Sequence, residues 1–168
     1  MARIIILNGA ARKNGSTKSL VDSFIEGAES SGNDVREFYL NGMDIHGCIG
    51  CKKCMKDADP CVFKDDMDHI YRAFEACDVV VFASPMYWWT ITGQLLTAVD
   101  RLYAIYGKRG PNGPKKDCVL LMTAGGDRFD QPVQWYSMFD RVMGWNDLGM
   151  VLGSGKEAEA RALGASIQ

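Results

Sequence analysis

The chain has 168 residues, of which 47% are hydrophobic and 24% charged, and its formal net charge is −2. This length and composition predict a single globular domain over residues 1–168, which would bury roughly 70% of the surface of its unfolded chain. The near-neutral charge argues against a nucleic-acid-binding domain, which usually carries a basic face, and no apolar stretch approaches the ~20 residues of a membrane span. We therefore expect a cytoplasmic protein with neither nucleic-acid nor membrane partners.

Apolar runs and segments of helical spacing alternate along the chain. The apolar runs predict five strands, at residues 3–7, 34–40, 78–84, 117–124 and 148–154. Helical spacing predicts five helices, at residues 16–31, 65–77, 92–106, 130–143 and 156–167. Gly32 is expected to stop the first helix. Asp65 or Asp66 is expected to cap the second helix, and Asp130 to cap the fourth.

Five strands that alternate with five helices predict an α/β fold with a doubly wound parallel sheet, because parallel neighbours need helical crossovers. In the flavodoxin-like strand order 2-1-3-4-5, ligands bind beyond the carboxyl ends of the strands, where the order reverses between strands one and three. The loops after Leu7, Ala83 and Thr123 are therefore the candidates for a binding site.

The first of these loops has the composition of a phosphate site. Gly9 and Gly15 let the backbone wrap around an anion, and Arg12 lies between them. Ser16 and Thr17 follow at the start of a helix, whose free N–H groups and dipole attract negative charge. Five residues separate the two glycines and no lysine follows, so the loop is not that of a nucleoside triphosphatase; a G-x-G-x-x-G fingerprint is missing too. The alternative is an ordinary polar turn before a capped helix.

The second and third loops suit a planar ligand. Pro85 stops the strand before the second loop. Four large apolar residues follow: Met86, Tyr87, Trp88 and Trp89. A flat ligand or a partner subunit would cover them, since aromatic rings stack on planar systems; the alternative is that they fill the core under the next helix. In the third loop, Gly125 and Gly126 allow backbone N–H groups to approach the carbonyl oxygens of a ring.

Four of the six cysteines are clustered in C-x2-C-x2-C-x6-C spacing: Cys48, Cys51, Cys54 and Cys61. Structural disulfides are not expected in a reducing cytoplasm, so this set is interpreted as metal-binding or redox-active. Steps of three residues favour a [4Fe–4S] cluster over zinc, which usually takes two separated C-x-x-C pairs; free or redox-cycling thiols are the other alternative. Cys77 and Cys118 lie in apolar contexts and are expected in the core.

These segments resemble the flavodoxin-like NAD(P)H-dependent FMN oxidoreductases and their iron–sulfur flavoprotein branch. LNGAARKNGSTKSL is similar to the family's phosphate loop, and SPMYWWTITGQLLTAVDRL resembles its Ser-Pro-x-Tyr segment, which runs to Gly-Gln-Leu and an Asp-Arg pair. CIGCKKCMKDADPCVFKDDM is similar to its cysteine loop, which ends in Asp-Asp-Met. Two departures concern the phosphate loop: Ala10 and Ala11 occupy positions where Ser and Pro are usual, and Ser16 replaces Asn.

The resemblance implies a flavodoxin-like three-layer sandwich, FMN as cofactor, NADH or NADPH as co-substrate, and a [4Fe–4S] cluster on the four clustered cysteines if the chain follows the iron–sulfur branch. Carried over by position, the FMN contacts would come from twelve residues of the three loops. They are Gly9, Ala10, Arg12, Ser16, Thr17, Pro85, Met86, Tyr87, Trp88, Ala124, Gly125 and Gly126.

The implied function is that of an FMN-dependent oxidoreductase. Hydride from NADH or NADPH would reach the flavin, and electrons would leave to a quinone, a nitro or azo compound, a metal ion or a protein acceptor. No side chain is required as catalytic acid or base, because the cofactor accepts the hydride. The alternative is an iron–sulfur flavoprotein that accepts electrons from ferredoxin and has little NAD(P)H activity. The apolar turn around a half-open site predicts a homodimer or homotetramer.

Overall fold

The structure is a computed structural model that describes residues 1–56, 61–107, 109 and 112–168. Its strands are β1 (Arg3–Asn8), β2 (Asp34–Tyr39), β3 (Val79–Pro85), β4 (Asp117–Thr123) and β5 (Asn146–Leu152). Its helices are α1 (Ser16–Ser30), α2 (Met67–Ala76), α3 (Gly93–Tyr106), α4 (Asp130–Met143) and α5 (Glu157–Ala165). The five strands form one sheet in the order β2-β1-β3-β4-β5, and all neighbouring strands are parallel. The flavodoxin-like fold class is thereby confirmed.

Side chains of the central strands alternate between two apolar layers, because successive residues of a strand point to opposite faces. On β1, Ile4 and Ile6 pack into a layer that includes residues of α1 and α5. Ile5 and Leu7 pack into the opposite layer, against residues of α2, α3 and α4. Cys77 and Cys118 are buried in this second layer, as the sequence predicts. The sheet is therefore covered on both faces, and its open edge for ligands is the line of carboxyl strand ends.

The predicted helix boundaries hold within a few residues; of the predicted caps, Asp66 is confirmed in its position, whereas Asp130 is not. Helix α1 ends at Ser30, and Gly32 lies just beyond it with a φ of 83° that favours glycine. Asp130 is the first residue of α4 rather than its cap; Phe129 takes the cap position without a side-chain hydrogen bond. At α2 the cap position belongs to Asp66, whose side chain accepts a hydrogen bond from Asp44 N instead of capping the helix.

None of the described helices is long and apolar enough to cross a membrane.

Candidate functional site

The three candidate loops meet in a cleft at the carboxyl ends of β1, β3 and β4, here called the strand-end cleft, with a volume of about 260 Å³. Nine of the twelve residues that the sequence assigns to FMN line this cleft. They are Ala10, Arg12, Ser16, Thr17, Pro85, Met86, Tyr87, Ala124 and Gly125. Four further lining residues were not in the predicted set: Ala11, Gly15, Thr123 and Ser154.

The start of α1 forms the part of the strand-end cleft that the sequence assigns to phosphate. Gly15 takes the cap position in an extended conformation and offers no side-chain cap, so the first N–H groups of the helix remain available to an anion. The loop before it is held from β1 and β2: Asn8 Oδ1 accepts from Ala10 N at 2.9 Å, and Tyr39 OH donates to the carbonyl of Ala11 at 2.9 Å. The loop therefore has a fixed shape without the Ser and Pro that are usual at positions 10 and 11.

A hydrogen bond between Thr17 and Thr123 links the start of α1 to the end of β4 at the strand-end cleft. Their hydroxyl oxygens are 2.7 Å apart, and either hydroxyl is able to donate. Both residues are buried, with 3% and 4% of their surfaces exposed. Thr123 is the last residue of β4, and its carbonyl also accepts a hydrogen bond from Met86 N at 2.7 Å. A single residue at the end of β4 thus contacts both the phosphate loop, residues 7–20, and the loop at residues 86–90, here called the aromatic loop.

The aromatic loop is a tight two-residue turn. Tyr87 and Thr90 exchange two backbone hydrogen bonds of 3.0 and 3.2 Å. The two residues between them, Trp88 and Trp89, have φ angles of 52° and 61°, in a left-handed region that costs of order 1–3 kcal/mol for a residue other than glycine. Their indoles face solvent, with 86% and 57% of the residue surface exposed. Of the two alternatives left by the sequence, burial in the core is wrong for both tryptophans.

Three predicted residues do not line the cleft: Gly9, Trp88 and Gly126. Gly9 serves packing instead, because a Cβ there would clash with Thr92 Oγ1 and lie 2.8 Å from Leu95 Cβ at the start of α3. Gly126 has nothing within 4 Å of the position of its missing Cβ, so the fold does not require glycine there. Among the residues that sequence reasoning missed, Thr123 and Ser154 share one signal, since each lies within one residue of the carboxyl end of a predicted strand.

The cysteine segment forms a second cavity of about 270 Å³, here called the thiol cavity, which shares none of its described lining residues with the strand-end cleft. All four clustered thiols line it and are free: Cys48, Cys51, Cys54 and Cys61. Burial raises the pKa of the Cys54 thiol above its usual value, and the other three thiols add to the rise. Residues 57–60 of the predicted cysteine loop lie outside the described residues.

Four thiols around one cavity are a donor set that suits an iron–sulfur cluster, whose irons are each held by a thiolate. Within the described ranges, no three His, Cys, Asp or Glu side chains lie close enough together to hold a metal ion. The choice between a cluster, a zinc ion and free thiols therefore stays a prediction from the sequence.

A buried ion pair attaches the cysteine segment to α3. Arg101 donates from both terminal nitrogens to the Asp65 carboxylate, at 2.7 and 3.1 Å, and also donates to the carbonyl of His46 at 2.7 Å. Asp65 accepts in addition from the N–H groups of His46 and Met67. The two side chains are each 1% exposed. Burial alone would raise the pKa of Asp65, but these donors hold it at about 2.

The role of Asp65 therefore differs from the predicted helix cap. Its carboxylate accepts a hydrogen bond from Met67 N, but it also accepts from His46 N and from the Arg101 side chain. Since His46 precedes the cysteines and Asp65 follows them, these contacts attach both ends of the cysteine segment to Arg101. The guanidinium carbon lies 5.2 Å from the centre of the Phe63 ring, on which the His46 ring stacks at 5.0 Å. Arg101 Nε is buried without a hydrogen-bond partner among the described residues, and Arg101 itself lines the thiol cavity.

Comparison with known proteins gives the following likenesses. The sequence matches the NADPH-dependent FMN reductase family over residues 2–152. It is 29% identical to an iron–sulfur flavoprotein of Archaeoglobus fulgidus over 88% of this chain and 66% of that protein. It is 31% identical to an iron–sulfur flavoprotein of Methanocaldococcus jannaschii over 75% of this chain and 63% of that protein. The chain thus spans less than two thirds of the length of these two relatives.

The fold has a close counterpart among solved structures. The NAD(P)H:quinone oxidoreductase from Methanothermobacter marburgensis superposes with a TM-score of 0.77 over 99% of both chains, at 16% sequence identity. At that identity the likeness concerns the fold alone. The match over residues 2–152 covers all three loops of the strand-end cleft and the cysteine segment. The chain belongs to the NADPH-dependent FMN reductase family.

Proposed function

We propose that this chain binds FMN in the strand-end cleft and uses it to oxidise NADH or NADPH and reduce a second substrate. The proposal rests on the convergence of three loops in one cleft: the phosphate loop, the aromatic loop and the loop after β4 that contains Ala124 and Gly125. The chain also belongs to the NADPH-dependent FMN reductase family. Bound FMN would accept a hydride from the nicotinamide and release the electrons to the acceptor.

The residues of the chain divide the work of holding the cofactor. The start of α1, with the hydroxyls of Ser16 and Thr17 and the charge of Arg12, would bind the phosphate. Pro85 to Tyr87 on one side and Ala124 and Gly125 on the other supply an apolar surface and backbone groups for the ring. Since sites that enclose a ligand of this size usually exceed ~300 Å³, part of the flavin would extend beyond the cleft towards the exposed indole of Trp88.

The test of this proposal is the cofactor content and the reaction of the purified protein. Protein reconstituted with FMN should show flavin absorption bands after gel filtration. With NADH or NADPH and a quinone it should show ping-pong kinetics, because one exposed planar site would serve donor and acceptor in turn. Protein that fails to retain FMN, or intersecting double-reciprocal lines, would contradict the proposal. A quinone, a nitro or azo compound, a metal ion or a protein as the natural acceptor stays a prediction.

A second function is favoured by the thiol cavity. The four thiols line one cavity, and relatives at 29% and 31% identity are named iron–sulfur flavoproteins. The chain would then hold a [4Fe–4S] cluster on Cys48, Cys51, Cys54 and Cys61 and receive single electrons from ferredoxin. Anaerobic reconstitution with iron and sulfide decides: about four iron atoms per chain supports this function, and none leaves a flavin reductase with free thiols.

Self-association remains part of the proposal. The exposed indoles of Trp88 and Trp89 lie beside the strand-end cleft, and a second copy of the chain would cover them. Light scattering of the FMN-bound protein should therefore give a homodimer or homotetramer, and a monomer would contradict it. A cytoplasmic location stays a prediction from the six unpaired cysteines.

A further inference from the structure

The hydroxyl of Thr17 has one proton, and a neighbour competes for it. Thr17 Oγ1 lies 2.7 Å from Thr123 Oγ1, and both side chains line the strand-end cleft. A threonine hydroxyl carries one donor and two acceptor lone pairs. If Thr17 donates to Thr123, it has no proton left for a ligand in the cleft. If Thr123 donates to Thr17, the proton of Thr17 is free to point into the cleft.

An anion bound at the N-terminus of α1, where Thr17 lies, selects the second arrangement. A phosphate oxygen is an acceptor only, and a hydrogen bond to it is stronger than one between two neutral hydroxyls. Thr123 then completes a chain of two hydrogen bonds that run in one direction, from Thr123 to Thr17 and from Thr17 to the anion. Such a chain strengthens each of its bonds by polarisation.

The position of Thr123 makes it suitable for this role. It is the last residue of β4, it is 4% exposed, and its carbonyl accepts Met86 N at 2.7 Å, so its backbone is fixed by the aromatic loop. Thr17 is fixed as well, because it lies in the first turn of α1 and is 3% exposed. The two hydroxyls therefore lie within hydrogen-bond distance of each other at the wall of the cleft.

We propose that Thr123 is a positioning residue that directs the hydroxyl proton of Thr17 towards the phosphate of FMN. The proposal rests on the proposed function, since it takes FMN as the ligand of the cleft. It assigns a role in phosphate binding to a residue of the third loop, more than a hundred positions away from the phosphate loop.

The test compares FMN with riboflavin, which has the same ring and no phosphate, by fluorescence titration of the apoprotein. Thr123→Val keeps the shape of the side chain and removes the hydroxyl. It should weaken FMN roughly three- to tenfold and change riboflavin affinity by less than about twofold. Thr123→Ser should restore the affinity for FMN. In a Thr17→Val background, Thr123→Val should have no further effect, because there is no proton left to direct.

Three results would overturn the inference: unchanged FMN affinity in Thr123→Val, an equal loss for riboflavin, or a loss that persists in the Thr17→Val background. If Thr123→Val does not fold, Thr123→Ser against Thr123→Ala gives the same contrast between a hydroxyl kept and a hydroxyl removed. The affinities of the wild-type protein for FMN and riboflavin test the proposed FMN binding separately from the role of Thr123. Wild-type protein that binds FMN no better than riboflavin would contradict phosphate binding in this cleft, and the inference with it.

Discussion

The strand-end cleft and the thiol cavity are stabilised in different ways. The cleft is formed by loops that leave buried parallel strands, and its shape is fixed by many short contacts, such as Asn8 to Ala10 N and Tyr39 to the carbonyl of Ala11. The thiol cavity is formed by an irregular segment between β2 and α2, whose attachment to α3 runs through the Arg101–Asp65 ion pair. Within the part of the chain that the structure describes, the two sites have no lining residue in common, so a change in one should leave the other largely intact.

This difference predicts where the molecule is sensitive. The shape of the cleft is distributed over several hydrogen bonds, which involve the side chains of Asn8, Tyr39 and Thr123 and the backbone of Met86. One buried ion pair joins the cysteine segment to α3, beside an exposed contact of Tyr103 with Met55, and removal of one partner of the pair would leave an uncompensated charge in the interior. The predictions below test this contrast, from the largest expected effect to the smallest.

The largest effect is expected from Arg101→Met. The substitution leaves the Asp65 carboxylate buried without its partner, which should lower the free energy of unfolding by roughly 3–5 kcal/mol in urea titrations. The matched control is Arg3→Met, which breaks an exposed ion pair with Asp78 and should leave the urea midpoint almost unchanged. If the folded Arg101→Met protein also loses its affinity for FMN, the two sites are not independent and the comparison fails.

A smaller loss of stability is expected from Gly9→Ala in the loop that follows β1. The new Cβ would clash with Thr92 Oγ1 and lie 2.8 Å from Leu95 Cβ, and overpacking of this kind costs roughly 1–3 kcal/mol. Gly126→Ala is the matched control, since it adds the same methyl group where nothing lies within 4 Å. Thermal or urea unfolding should separate the two variants; equal stabilities would mean that Gly9 is not needed for the packing of β1 against α3.

The smallest effect is the acid sensitivity of the Arg101–Asp65 ion pair. The pKa of Asp65 is lowered from 3.8 to about 2, so its contribution is complete above about pH 4 and is lost as the pH falls towards 2. The expected loss is roughly 2 kcal/mol over that range. Arg101→Met should lack this part of the acid loss. Identical pH profiles of the unfolding free energy for the two proteins would show that Asp65 does not depend on Arg101.

The fold and the strand-end cleft follow from local sequence patterns. Uninterrupted apolar runs such as RIIIL predict buried parallel strands, and the strand order then determines which loops meet. This is why nine of the twelve assigned residues line one cleft. The sequence assigns Gly9 to the ligand, because local sequence does not distinguish a glycine that a bound phosphate requires from a glycine that a neighbouring helix requires. Only the position of Leu95 and Thr92 distinguishes them.

The remaining features depend on contacts between distant residues. An aspartate before an amphipathic helix is usually a cap, and nothing near Asp65 in sequence indicates that its partner is Arg101, 36 positions later. The pairing of Thr17 with Thr123 spans 106 positions and leaves no periodic signal. Trp88 and Trp89 have left-handed backbone conformations that turn chemistry assigns to glycine and asparagine, so local propensity gives no indication of this turn.

The most direct test of the account is the affinity for FMN of three proteins, measured by fluorescence titration under identical conditions: wild type, Ser16→Ala and Cys54→Ala. Ser16 lines the strand-end cleft and Cys54 lines the thiol cavity. Loss of a hydrogen bond to phosphate is worth roughly 1.5–3 kcal/mol, so Ser16→Ala should bind FMN at least about tenfold more weakly. Cys54→Ala should bind FMN as the wild type does. A wild-type protein without affinity for FMN, or a loss in Cys54→Ala with none in Ser16→Ala, would contradict the placement of FMN at the ends of β1, β3 and β4.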